Sequence, residues 1–332
     1  MIKKNNFLME AKFNELLSFT KTNFLENYLL YLNVLKVILL VAFIFYSLFK
    51  KNNNLILNWK KIKQDFELLI NKYKNLLKSE KNIDEDSPIW VMWYQGIENA
   101  PPIVLSCIQS IIRNRAKHKV IIISKYNLEN YIKLPKHIIE KFNNNIFSIT
   151  HLSDIVRFAL LQKYGGYWID ATYLVTTPLE KINASFYTLK LNYCWTYNHP
   201  FINCLWSANF FALPKNSFVA TFGYKALLNY WKKYNLLIDY FLIDYIIYIA
   251  YHKEEKFKTI INKHPFTTCN IFSLAETLNN NYNQRDFQCS FNKLTKNGNW
   301  IISNDKGSTN YGYIIKKYKF KFKNENKSFF LT

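Results

Sequence analysis

Between residues 89 and 175 short, wholly apolar runs alternate with longer amphipathic ones. IWVMWYQG (89–96) is a buried-type run that stops at Gly96, as a strand covered on both faces does. APPIVLSCIQSIIRNR (100–115) carries prolines near its start and reads as a helix. HKVIIIS (118–124) reads as a second buried strand, residues 127–143 as two helical pieces broken at Pro135, and IFSIT (146–150) as a third, short strand. Ser153 is placed to cap a helix, DIVRFALLQKY, that ends at the Gly165–Gly166 pair; YWIDA (167–171) follows as a strand. This alternation predicts an α/β fold with a mostly parallel, Rossmann-type sheet and flanking helices. In such sheets ligands sit beyond the carboxyl ends of strands, where Gln95 and Asp170 are expected. Past residue 180, YCWTYN (193–198) and LWSANFFALP (205–214) read as strands, and residues 216–235 and 237–251 as aromatic helices. The tail from about 265 is loop-rich, with a possible strand at 313–323.

The N-terminal pattern differs. Residues 28–49, YLLYLNVLKVILLVAFIFYSLF, have the length of a membrane span, interrupted by Asn33 and Lys36. A central Lys costs about 2.5–3.5 kcal/mol on an insertion scale, and each Leu, Ile, Phe or Val returns about 0.3–0.6 kcal/mol, so the apolar residues outweigh it. An interfacial helix and a packed soluble helix are the alternatives. Lys50, Lys51, Lys60, Lys61 and Lys63 follow at once and favour the cytoplasmic side for what comes next; Lys3, Lys4, Lys12 and Lys21 make the asymmetry modest. Residues 57–81 read as a basic amphipathic helix, either resting on an anionic membrane surface or solvated as a link, and DEDSP (84–88) as a linker. The expected organisation is an N-terminal hydrophobic helix as anchor in 1–50, a basic helical linker in 51–87 and a globular domain in 88–325.

Composition adjusts this picture in three places. An apolar fraction of 49% over 332 residues gives ample length for a core. The net charge of +21 draws anionic partners, yet only four of the 44 basic residues are Arg and no nucleic-acid-binding module is visible, so nucleic acid is not expected as a partner. The five cysteines (107, 194, 204, 269, 289) form no C-x-x-C pair; neither a disulfide framework nor a zinc site is expected, which fits a reducing compartment.

The chemistry gathers in HLSDIVRFALLQKYGGYWIDAT (151–172). Asp154 and Arg157 are i, i+3 and share a helix face; the alternative is a surface ion pair. Asp170 ends an apolar strand, where an unpaired carboxylate is costly, so a ligand hydroxyl, a cation or Arg157 is expected to satisfy it; the alternative is an acid capping the next turn. Asp239 and Asp244, on one expected helix, point about 140° apart, so only one of them is expected to face a site, with Asp244 preferred; either is a candidate general base or simply a surface acid.

The order strand, helix, strand, then S-D-x-x-R and G-G-x-W-x-D, resembles the sugar-nucleotide-dependent glycosyltransferases of GT-A fold. Within them it looks most like the capsular polysaccharide synthesis glycosyltransferases, relatives of those carrying a DxD sugar-binding region. The matching pieces are residues 89–111, LPKHIIEKF (134–142), residues 151–172, YWKKYNLLIDYFLIDY (230–245) and NKLT (292–295). The resemblance implies transfer of a sugar from a nucleoside-diphosphate sugar to a hydroxyl of a glycan or lipid-linked acceptor in surface polysaccharide assembly, by a membrane-associated enzyme. A non-catalytic sugar-nucleotide- or glycan-binding relative and a membrane-bound sugar-phosphate transferase are the rival functions.

The resemblance places the nucleotide base near Trp93, Gln95 and Gly96, and the rest of the donor near Asp154, Arg157, Gly166, Tyr167 and Thr172. Asp170 is implied as the catalytic acid and metal ligand, with Mn²⁺ or Mg²⁺ as cofactor. The second acid of D-x-D is Thr172 here, and the position where relatives carry a late histidine is Asn292. The cation is therefore either held weakly, through diphosphate and water, or replaced by a cationic side chain such as Lys293. His264 is a remote candidate ligand.

Overall fold

The computed structural model describes residues 59–79, 81–180, 182–191 and 204–322. The candidate span at 28–49 and the YCWTYN segment lie outside them. Among the described residues no helix is long and apolar enough to cross a membrane. The chain divides into two units, Met1–Lys61 and Ile62–Thr332, and every strand among the described residues lies in the second.

Residues 59–73 form α1. Then come β1 (Ile89–Met92), α2 (Pro102–Arg113), β2 (Val120–Ile123), α3 (Leu128–Tyr131), α4 (Lys136–Asn143), α5 (Ile149–Tyr164), β3 (Gly166–Ile169), β4 (Tyr173–Val175), β5 (Tyr187–Thr188) and β6 (Phe210–Leu213). The remainder is α6 (Phe218–Lys233), α7 (Leu242–Lys253), α8 (Glu255–Lys263), α9 (Ser273–Glu276), β7 (Phe291–Lys293), β8 (Ser303–Asn304), β9 (Gly307–Ser308) and α10 (Asn310–Lys317).

The central sheet has the order β2-β1-β3-β6-β5. β1 is parallel to both β2 and β3, β6 runs antiparallel to β3, and β5 antiparallel to β6, so β6 alone is reversed. The expected α/β architecture with a mostly parallel sheet and flanking helices is what forms. All four residues of β1, β2, β3 and β6 are buried, the pattern of strands covered on both faces. Val104, Cys107, Ile108 and Ile111 of α2 share one core with Ile89, Val91, Tyr167 and Ile169. On the other side Phe158 of α5 stacks on Phe211 of β6, ring centroids 6.1 Å apart. β4 pairs with β7 across more than a hundred residues of sequence, with Tyr173 opposite Lys293. That pairing carries a late lysine to the end of β3.

Several expectations change. IFSIT is not a strand: Ser148, not Ser153, is the N-cap, and α5 begins at Ile149. A short apolar run ahead of a helix is also what a buried residue preceding the cap gives, and Phe147 is that residue. The described part of 313–323 holds no strand, because Tyr311, Ile314 and Tyr318 bury one face at helical spacing and Thr309 caps α10 by accepting from the Gly312 amide. The helix expected over 237–251 starts at Leu242, since Asp239 turns the chain before it, its carboxylate accepting from the Phe241 amide at 2.7 Å. Part of the segment expected as a linker packs into the second unit: Ile62, Phe66 and Ile70 are buried and Lys233 pairs with Asp65 at 2.6 Å.

The cysteine reading is also corrected. Cys269 and Cys289 form a disulfide, and Cys204 is disulfide-bonded too, while Cys107 is free and buried. Cysteine counts carry no pairing information; pairing needs two segments brought together by the fold. Disulfides persist in oxidising compartments, so the expectation of a reducing one loses this support, and the cytoplasmic side rests on the flanking lysines alone. Closing a 20-residue separation, the Cys269–Cys289 bond should stabilise the domain by about 3 kcal/mol. Denaturant unfolding of wild type against Cys269→Ser/Cys289→Ser checks this, and equal midpoints would remove the bond's structural role.

Candidate active site

α5 reaches β3 through Gly165 (φ +71°) and Gly166 (φ +100°), backbone that side chains rarely adopt. A Cβ on Gly166 would lie 2.2 Å from the Pro88 carbonyl oxygen, so the strand can slide against its neighbour only with glycine there. This tight reversal returns the chain along α5 and brings Asp154 and Arg157 to the far end of β3, where Asp170 stands.

The three side chains are joined. Arg157 Nη1 donates to Asp154 Oδ1 at 2.7 Å, and Nη2 to Asp170 Oδ1 at 3.4 Å. The guanidinium also lies over the Trp168 ring, 4.9 Å from its centroid, while Trp168 Nε1 donates to Asp170 Oδ1 at 2.9 Å. From β7, Lys293 Nζ donates to Asp170 Oδ2 at 2.8 Å and to Thr172 Oγ1 at 2.6 Å. The Asp154–Arg157 pair is no surface ion pair, because both side chains are 10% exposed or less.

This cluster forms the floor of a cavity of about 520 Å³. Its walls include Asp244 on α7, Trp206, Asn209, Tyr240 and Glu276. Trp206 Nε1 donates to Asp244 Oδ1 at 3.0 Å.

The acids are set to different charge states. Burial alone would raise the Asp170 carboxyl, but Lys293 and then Arg157, with hydrogen bonds from Lys293 and Trp168, outweigh it and hold it below its usual value. Asp154 is raised, burial outweighing the pull of Arg157 and His151. Asp244 is raised to about 7, chiefly by burial, with the Trp206 hydrogen bond opposing and the negative field of Asp154 adding. Paired acids with separated titrations can divide the work, one staying ionised and the other exchanging a proton near neutrality.

The fold thus brings together Asp154, Arg157, Asp170, Asp244 and Lys293, with Thr172 joined through Lys293. Trp93, Gln95 and Gly96 do not line this cavity. They end the neighbouring strand, with Trp90 paired to Trp168 and Trp93 lying past the strand end. Lys296, three residues beyond Lys293, lies over the Trp93 ring at 5.7 Å. Trp93 Nε1 is buried and has no partner among the described residues.

Four expected positions are corrected. Gly166 and Tyr167 begin β3, at the end opposite Asp170; Gly166 serves the close contact with Pro88, and Tyr167 is core, its ring 4.6 Å from His118. Asp239 turns the chain before α7 and does not line the cavity. His264 lies elsewhere, with Nε2 2.6 Å from the Thr188 carbonyl oxygen. Trp206, Tyr240 and Glu276 were missed. Nothing in their spacing marked them, since each reaches the cavity through tertiary packing.

Deprotonating Asp244 is unfavourable in the folded state. Its acid is raised, so the stability it contributes is complete below about pH 4 and is lost as pH rises through about 7; a three-unit shift corresponds to about 4 kcal/mol. Asp244→Asn should therefore be more stable than wild type at pH 8 and no more stable at pH 4. Urea midpoints at the two pH values check this, and an equal difference at both would place Asp244 in solvent.

Three comparisons bear on this site. The chain matches the family described as capsular polysaccharide synthesis protein over residues 43–311. It is similar to the O-glycosyltransferase braB of Annulohypoxylon truncatum, at 29% identity over 116 residues, which is 32% of this chain and 27% of that protein. The chain thus spans about a quarter of the length of that curated relative. No solved structure matches it. The family match extends across both halves of the cavity, from β1 through β7, and on it the chain belongs to the capsular polysaccharide synthesis protein family.

Proposed function

We propose that the chain is a glycosyltransferase of GT-A type that moves a sugar from a nucleoside-diphosphate sugar to a hydroxyl of a glycan or lipid-linked acceptor. The observation that carries this reading is the pairing, in one cavity, of a fixed cationic cluster with a carboxyl that titrates near 7. Arg157 and Lys293 present positive charge at a strand end, as a departing diphosphate requires. Asp244 faces the same space and is half ionised near neutrality, the condition for a general base.

In the transfer the acceptor hydroxyl oxygen bonds to the anomeric carbon, and its proton goes to Asp244. The bond from that carbon to the diphosphate breaks, and the electron pair leaves with the diphosphate. The unpartnered Trp93 Nε1 and the lysine over its ring support the end of β1 as the position of the base, beside the cavity rather than in its lining. The candidate span at 28–49 would hold the domain at a membrane, where a lipid-linked acceptor is presented.

The test is the melting temperature of the protein with a panel of UDP-, GDP- and CDP-sugars, with and without Mn²⁺. A rise with at least one donor is expected. No rise with any of them, in either condition, overturns the reading. A rise without any turnover points instead to a non-catalytic relative.

A further inference from the structure

We propose that Lys293 occupies the place of the divalent cation, so that this chain binds the diphosphate of its donor without a metal. The inference rests on the glycosyltransferase reading above and names the cation of that same site.

The donor set around Asp170 does not fit Mn²⁺ or Mg²⁺. Hard divalent ions take about six oxygen ligands or more. Among the described residues no three His, Cys, Asp or Glu side chains are grouped to hold an ion. Both Asp170 oxygens are engaged, Oδ1 by Trp168 and Arg157 and Oδ2 by Lys293. Thr172, two residues on, spends its hydroxyl on the same ammonium. Asn292, which stands at the late-histidine position, is fully buried, and its side-chain amide donates to the Cys289 and Leu174 carbonyls. Strand alternation explains this, since successive residues of β7 point to opposite faces and only Lys293 faces the cavity. An ion against Asp170 and Thr172 would sit within hydrogen-bonding distance of the ammonium, and like charges cannot share that space.

Lys293 is built in rather than a mobile surface lysine. Its backbone pairs with Tyr173, its amide donates to the Ile271 carbonyl at 2.7 Å, and its side chain is 18% exposed. Its Nζ lies over the Tyr173 ring, 5.3 Å from the centroid. The Cys269–Cys289 disulfide ties together the two segments that make this mount, one leading to Ile271 and one to β7. An ammonium has three N–H donors, and Asp170 and Thr172 take two. The third serves a phosphate oxygen entering the cavity. A single charge is weaker than a divalent ion, and Arg157 supplies the second positive charge 3.4 Å from the same carboxylate.

The experiment is isothermal calorimetry of the full chain with UDP, GDP and CDP, in excess EDTA and again in Mn²⁺. At least one diphosphate is expected to bind in EDTA with an affinity within about threefold of that in Mn²⁺. Lys293→Met should lose about 100-fold in EDTA and recover part of it in Mn²⁺, because the ion then has room beside Asp170. Lys293→Arg should retain binding in EDTA, and an unchanged melting temperature in each variant separates lost binding from lost folding. Binding that appears only with Mn²⁺ overturns the metal-free site and leaves the glycosyltransferase reading standing. Equal binding of wild type and Lys293→Met in EDTA also overturns it. No diphosphate binding in either condition removes both readings.

Discussion

Asp170→Asn is expected to lower turnover by about 10²–10³-fold, the usual loss when one fixed electrostatic partner of a transition state is removed. Asn keeps the shape of the side chain and an oxygen for Trp168, so packing at the end of β3 is conserved. What disappears is the negative charge that holds Lys293 and Arg157 in place, at 2.8 and 3.4 Å. The carboxylate is a quarter exposed, so the change in stability should stay near 1 kcal/mol. Rate and unfolding free energy measured on the same preparation separate the two effects. Wild-type turnover would remove Asp170 from the site, and a collapse in stability would make it a structural acid.

Arg157→Met is expected to destabilise the fold. The guanidinium is 5% exposed, lies between two acids and covers the Trp168 ring. Removing one partner of a buried ion pair leaves an uncompensated charge and costs about 3–5 kcal/mol. Two carboxylates are left here, although Asp170 keeps Lys293, so the lower end of that range is expected. Asp154→Asn added to Arg157→Met should recover much of the loss, because the charge stranded by the first change is then neutral. Arg157→Lys should not rescue, since one ammonium cannot reproduce a fork that reaches Asp154 and Asp170 together. Urea titrations of the four proteins decide it; a cost below about 1 kcal/mol for the single change would mean the pair behaves as a solvated one.

The parts of this site that were legible in the sequence are those in which local pattern and chemistry coincide. Apolar runs of strand length gave β1, β2 and β3, and S-D-x-x-R with G-G-x-W-x-D placed Asp154, Arg157 and Asp170 on consecutive elements of one reversal. Lys293 was legible only as an alternative to a metal, since its role depends on the pairing of β7 with β4. Trp206 could not be read at all, because Asp244 lies 38 residues away in sequence and the contact is tertiary. Gly166 and Tyr167 misled for the opposite reason. A motif compresses both ends of a short strand into six letters, and only the Asp170 end opens on the cavity. The disulfide shows the same limit, for the cysteines carry no mark of their partners until Ile271 and β7 are seen side by side.

The most direct test of the glycosyltransferase reading is release of the nucleoside diphosphate from a panel of UDP-, GDP- and CDP-sugars by the wild-type chain and by Asp170→Asn, followed with and without simple glycan acceptors. Release is expected from at least one donor by wild type, faster with acceptor, and at least a hundredfold less by Asp170→Asn, whose loss of stability stays near 1 kcal/mol. Release that is equal in the two proteins, or absent from every donor, would contradict it.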